Sequence, residues 1–496
     1  METKPTMDGE RRKRGSRRLP DILRYSEIRN GRFLRYYGKR EEIIIPSSVT
    51  AIAADAFRNN KRITRVVMGP NVSVIQPNAF RGCTALREVV FCDNLRGIGN
   101  YAFAGCTSLG AALLPSSVVS IDDGCFRACT SLRTVVLPEK LTHIGAEAFF
   151  DCETLEEILL PEGIANIHYA TFFNCRSLRA ITLPASVETL GKYAFGRCDS
   201  LVNIRVPKGL LHIGVGAFSE CRSLRAFRIP ELVRFIGDYT FSMCERLERV
   251  IPPPELSYVG NAAFLGCGKL KSFKLPTGVT RIGNSAFFGC SSLTQMHIPE
   301  TVQELSNAAF AHCASLCDVK NDGQMTELEE GVFEGCFALS SVTIPKMVEK
   351  IEGRAFAACS ALRRIEIPEA TSMIEDRAFE GCLSLEGVTL PSALRELGAS
   401  AFADCASLET VIMPSPRLRV EKNAFSGCVA LANLVVADPM RYSIIRLARL
   451  GVLQKVNVIH AREVETSLLY AELADPATTE DRREEIKIFL SVKNKG

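Results

Sequence analysis

Pro138-Glu-Lys-Leu-Thr-His-Ile-Gly-Ala-Glu-Ala-Phe149-Phe-Asp-Cys152-Glu-Thr-Leu155-Glu-Glu-Ile158-Leu-Leu160 is one copy of a unit that fills most of this chain. Its parts carry separate local signals. Leu155-x-x-Ile158-x-Leu160 alternates and reads as a short strand. Pro161 stops it, because proline has no N–H to give to a ladder. Residues 141–144 form a second extended piece, and Gly145 permits a turn. The spacing predicts one helical turn over 146–151, with Phe149 and Cys152 three apart on one face.

The unit recurs with a period of 23 residues. Phe57, Phe80, Phe103 and every twenty-third residue onward to Phe425 are phenylalanine, giving 17 copies without a slip. Three residues after each Phe stands Cys, from Cys83 to Cys428, with Asn60 in the first copy. Six residues after stands Leu, from Leu86 to Leu431, with Ile63 in the first copy. Five residues before stands an aliphatic residue, as at Ile52, Leu190 and Val259. One such unit cannot bury its apolar face alone, whereas stacked units bury Phe on Phe, Cys on Cys and Leu on Leu. The 496 residues therefore read as one elongated solenoid, not as the three or so globules that length alone suggests.

These residues carry a resemblance. The string I-P-x-x-V-x-x-I-G-x-x-A-F-x-x-C-x-x-L-x-x-V is similar to the BspA-like leucine-rich repeat family. The stretch from Ile28 to Gly38, followed by Ile43-Ile-Ile-Pro46, is similar to the lead-in before such repeats. The resemblance implies an α+β leucine-rich-repeat solenoid with a parallel sheet on its concave face and short helical turns between strands. It also implies interaction with other macromolecules, inside cells or at their surface, and it supplies no catalytic residues. The expected organisation is a basic tail over 1–27, a lead-in or cap over 28–45, the solenoid over 46–436, and a helical cap over 437–496. Within that cap Asp438-Pro439 reads as a helix start. An apolar pattern at Ile444, Ile445, Leu447, Ala448 and Leu450 reads as the first helix. Further helices are expected over about 461–473 and from about 478. The segment would cover the last apolar rung or dock a partner.

Composition is that of an ordinary folded protein, 47% apolar and 23% charged, which excludes a disordered or collagen-like chain. No apolar run is long enough for a membrane helix, and the first 30 residues hold no signal-peptide pattern. Charge is unevenly placed: residues 1–40 carry a net +8 and the remainder −4. Arg11-Arg-Lys-Arg-Gly-Ser-Arg-Arg18 reads as a nuclear-import signal, an arm for a polyanion, or a solvated tail.

Enzyme signatures are absent: there is no phosphate loop and no nucleophile elbow. The reading is therefore a non-enzyme with no cofactor, no metal and no small-molecule substrate. The ladder cysteines read as small buried apolar residues. Stacked rungs hold their Cβ atoms about 4.8 Å apart, too far for a disulfide. So many free thiols point to a reducing compartment and a cytoplasmic scaffold, with a cell-surface adhesin as the alternative. Cys125 reads as core and Cys317 as exposed. Cys317 with His312 and Cys313 nearby could be imagined as a metal site, but Cys313 should face inward. The run from Asp318 to Glu329 mimics a calcium loop, but Lys320 occupies a ligand position. His143 and His212 lie three rungs apart, about 14 Å.

The residue ten after each Phe should point out of the sheet. That row starts apolar, with Val67, Val90, Leu113, Val136 and Leu159. It then turns polar and basic, with Thr182, Arg205, Arg228, Ile251, Lys274, His297 and Lys320. Lysine is disfavoured in strands and stacked like charges repel. The basic zone therefore points to an acidic protein or a polyanion docking across rungs seven to twelve, or to compensating carboxylates nearby.

Overall fold

The computed structural model describes residues 21–437 and 444–460. It is a parallel β-solenoid. Each Phe rung contributes a two-residue strand that ends five residues before the Phe, as in Ala51–Ile52, His143–Ile144 and Arg419–Val420. These strands form a short ladder, paired in register one period apart. A second, longer set begins eight residues after the Phe, as in Arg65–Val67, Thr134–Val136 and Gln295–Ile298. This is the long ladder.

The Phe side chains form a continuous stack. All 17 are at most 2% exposed, and neighbouring rings lie between 4.8 Å and 5.9 Å apart. The Leu six residues on is equally buried, as at Leu155 and Leu247. The ladder cysteines are buried too, and each Sγ donates to the carbonyl of the Phe one rung earlier, as Cys152 to Phe126 at 3.2 Å. The small apolar filler is thus also a buried hydrogen-bond donor.

The segment around each Phe differs from the helical turn that the spacing predicts. Glu147 and Asp151, two residues either side of Phe149, have φ of 56° and 59°. The same two positions are left-handed in every rung, occupied by Gly or by residues as large as Tyr101 and Met243. Hydrogen bonding gives the reason. Alternate amides bond within the rung, as Phe150 N–H to Glu147 O, while those between reach the next rung, as Phe149 N–H to Thr171 O. A helix would spend every amide internally. Here half of them tie the rungs together, so the segment is a third inter-rung ladder. Among the described residues the helices are Asp21–Arg24 and Ile444–Arg449.

Both ends are covered. Ser26–Arg29 and Arg32–Tyr36 form a hairpin that turns at Asn30 and Gly31, both with positive φ. The second strand pairs parallel with Ala51–Ile52. Phe33 then stacks on Phe57 at 4.8 Å. The lead-in thus supplies an extra ring to the stack. At the other end Ile444–Arg449 is a helix that stops before Gly451, φ 83°, while the expected helix start at Asp438-Pro439 lies outside the described residues. Phe425 N–H bonds to Leu450 O, so the helix stands where another Phe turn would. The chain then returns as Asn457–His460, parallel to Asn433–Val436. One more strand therefore joins the long ladder beyond residue 436. The basic run 11–18 and the expected helices beyond 460 lie outside the described residues.

Candidate partner-binding face

The outward row of the long ladder is a real surface feature. Val90, Leu113, Val136 and Leu159 are exposed, Leu159 by 85%, and Val67 is half-buried. Strand pairing sets them in register, Val67 beside Val90 and Leu113 beside Val136. The row begins one position earlier than the Phe series suggests. Ile44, 62% exposed, pairs with Val67. It escaped the periodicity because its own rung has no ladder Phe. Only the spacing back from Val67 points to it.

The basic zone divides in two. His297 Nε2 and Lys320 Nζ both contact Asp322 Oδ2, at 2.9 Å and 2.7 Å. These two contacts hold the Asp322 carboxyl below its usual pKa range. Asp322 occupies the slot where most rungs have Pro, so an unusual residue supplies the counter-charge. Arg205, Arg228 and Lys274 are exposed and make no ion pair among the described residues.

Arg205 and Arg228 border a groove of about 830 Å³ whose walls include Val206, Pro207, Pro230 and Pro252. The long ladder is open at this place: Asn203–Arg205 pairs back to Ala180–Thr182 and Ala226–Arg228 pairs forward to Arg249–Ile251, and the two strands are not paired with each other. Leu183 N–H bonds to Arg205 O, and Ile229 N–H to Ile251 O. Pro252 takes the equivalent position one rung on and has no N–H to give Lys274. The long ladder shrinks there to one bridge, Arg249 to Ser272. The run Pro252-Pro253-Pro254 was legible as a break in the repeat, because Pro252 replaces the usual aliphatic residue.

The remaining sequence candidates resolve as structure. Cys313 is buried with Sγ on Phe287 O, while His312 packs against Phe288. Asp318–Asn321 is a strand whose buried Asn321 receives Gly323 N–H, so the calcium-like run is an altered strand end. Among the described residues no three His, Cys, Asp or Glu side chains cluster as metal ligands. Cys125 is buried, but Cys317 is half-buried and directs Sγ to Thr294 O at 3.4 Å, so it is less open than expected. His143 meets His168, ring centroids 5.3 Å apart, although the two stand at different repeat positions. Among the described residues no helix is long and apolar enough to cross a membrane.

Comparison with known proteins matches this geometry. The chain resembles a leucine-rich repeat protein from Bacteroides ovatus, with 26% identity and a TM-score of 0.54 over 80% of this chain and 91% of that one. It resembles the T. pallidum leucine-rich repeat protein with 32% identity and a TM-score of 0.32, over 39% of this chain and 82% of that one. No curated protein matches. The model of the BspA type leucine-rich repeat region matches in 6 copies, over residues 26–156, 119–248, 166–290, 211–339, 257–370 and 326–442. With its Phe stack, its thiol ladder and its paired short strands, the chain belongs to the BspA-type leucine-rich repeat family.

Proposed function

We propose that this protein is a non-enzymatic scaffold that binds a protein partner across the long ladder, taken as the concave face of the solenoid. The observation that supports this is the row of outward apolar residues from Ile44 to Leu159, all exposed except the half-buried Val67. An exposed apolar stripe on a rigid sheet marks an interaction surface. The basic zone at Arg205, Arg228 and Lys274 adds a preference for acidic partners, and binding led by charge weakens as salt rises.

The test uses the full chain as bait in a lysate, with captured proteins quantified by mass spectrometry. A partner should be retained by the wild type and lost from Leu113→Glu with Leu159→Glu, in a protein that melts normally. An unchanged captured set would sink the scaffold reading. If Arg205→Glu with Arg228→Glu leaves capture intact while Val90→Glu or Val136→Glu abolishes it, the partner uses the apolar zone alone.

The thiol ladder favours a reducing compartment, and we place the protein in the cytoplasm. Separation of membranes from soluble fractions, followed by immunodetection, distinguishes this from a surface adhesin. Nuclear staining would assign the 11–18 run as an import signal.

A further inference from the structure

We infer that the groove at rungs seven to nine holds an extended, acidic peptide segment of the partner, with an apolar side chain seated between carboxylates. The inference rests on the long ladder being the docking face, and it adds the chemistry of the occupant.

Three observations converge on this place. The first is uncovered core. Ile204 and Val206 are partly exposed in the groove. Their counterparts one rung away, Ile181 and Leu183 on one side and Phe227 and Ile229 on the other, are each at most 4% exposed. Apolar surface that the repeat normally closes is open here. It can take an apolar side chain at about 25 cal/mol per Å² of area removed from water.

The second is charge. Arg205, Lys208 and Arg228 line the groove against a single carboxylate, Glu231. None of the three cations makes an ion pair among the described residues. Nearby arginines do find carboxylates, as Arg197 with Glu220 and Arg234 with Glu255. The groove cations thus stand apart from the paired surface around them. Arginine guanidinium groups favour bidentate contact with carboxylates.

The third is shape. The groove lies where Asn203–Arg205 and Ala226–Arg228 are unpaired with each other, and it shares Arg205, Val206, Pro207 and Lys208 with an adjoining recess of about 470 Å³ that reaches Thr182. A depression that crosses successive rungs suits an extended chain. Its proline walls suit an apolar side chain better than a run of phosphates. Aromatic stacking platforms, which single-stranded nucleic acids use, are absent from the groove lining.

The experiment measures fluorescence polarisation of a labelled peptide, Gly-Asp-Glu-Leu-Glu-Asp-Gly, with the purified full chain at low salt. Controls are the same peptide with Gly for Leu, one with Lys for every acid, and a short oligothymidylate. Saturable binding of the first peptide is expected. Arg205→Glu with Arg228→Glu should weaken it by at least about tenfold. Replacing the peptide Leu should weaken it by about fivefold. The Lys peptide should not bind. Leu383→Ser, an exposed residue on rung fifteen outside the outward row, should leave it unchanged. The inference is overturned by absent binding, by insensitivity to the arginine changes, or by tighter binding of the oligothymidylate through the same arginines. Failure here with lysate capture still dependent on Leu113 and Leu159 removes only the groove peptide. Loss of that dependence removes the scaffold reading.

Discussion

Cys106 donates its Sγ–H to the carbonyl oxygen of Phe80, at 3.2 Å, 26 residues earlier in the chain and one rung away in space. That same carbonyl also accepts the Cys83 amide of its own rung, at 3.1 Å. The ladder Phe carbonyls from Phe57 to Phe402 are therefore shared between two rungs, and the thiol is the group that satisfies the second lone pair away from water. A central change tests this. Cys244→Ala removes the bond to Phe218 and leaves a small void, which should cost about 1–3 kcal/mol. The measurement is the shift in urea midpoint. No shift would mean that the thiol only fills space.

The Phe stack should weaken unevenly. Phe241 lies between Phe218 and Phe264, so Phe241→Ala should cost about 3–5 kcal/mol. Phe425 stacks on Phe402 alone among the ladder rings, and its substitution should cost less. Phe57 should behave as a central residue despite its place in the sequence, because Phe33 and Tyr36 cover it. Equal, small losses at Phe241 and Phe425 in chemical unfolding would contradict the stack.

Left-handed positions give a two-way test. Ala358 has φ 59° and Gly381, its counterpart one rung on, has φ 73°. A non-glycine residue there carries a strain of about 1 kcal/mol, partly offset by the flexibility that glycine adds to the unfolded chain. Ala358→Gly should be neutral to mildly stabilising. Gly381→Ala should be neutral to mildly destabilising, by under about 1 kcal/mol after the same offset, since its Cβ would meet Ala358 Cα at a comfortable 3.6 Å. Gly145→Ala should be worse, because its Cβ would fall 2.4 Å from the Asp123 backbone nitrogen. Thermal melts of the three variants rank them.

Thiol reactivity should separate two populations. Burial pushes the Cys83 thiol up to about 12 and Cys129 well above the usual thiol range, and the thiolate is the reactive form. Cys92 and Cys317 are half-buried and should be alkylated first, Cys317 leading. Mass spectrometry of a native time course reads the order. Ladder cysteines that react as fast as Cys317 would show that the rungs open readily.

Acid should destabilise the fifth and sixth rungs. Burial, and then the neighbouring His143, hold the His168 imidazolium below its ordinary range, while Asp123 opposes them. The unfolded chain thus takes up this proton at a higher pH than the folded one. Stability from neutral His168 is full above about pH 6.5 and falls as pH drops through the folded pKa. Asp122, raised chiefly by burial, acts in the opposite sense in the lower, carboxyl window, where protonation favours the folded state. His168→Gln should flatten the decline in Tm just below pH 6.5. An unchanged profile would assign the acid response elsewhere.

The sequence by itself determined the solenoid, its rung count and its core. A 23-residue period fixes which side chains superimpose, and a unit too small to bury itself must stack. The outward row from Val67 to Lys320 was legible for the same reason, since strand alternation needs only spacing. Only the tertiary structure decided how the backbone around each Phe is used. Phe149 and Cys152 sit three apart in a helix and equally in this turn. The choice is made by amides such as Phe149 N–H, which bond to the next rung instead of to their own. It also decided which charges are spare. Lys320 and Arg228 look alike in one dimension, but Asp322 stands beside the first, while the unpaired edge between Asn203–Arg205 and Ala226–Arg228 leaves a groove beside the second. Charge compensation depends on distance through space, which the repeat period does not encode.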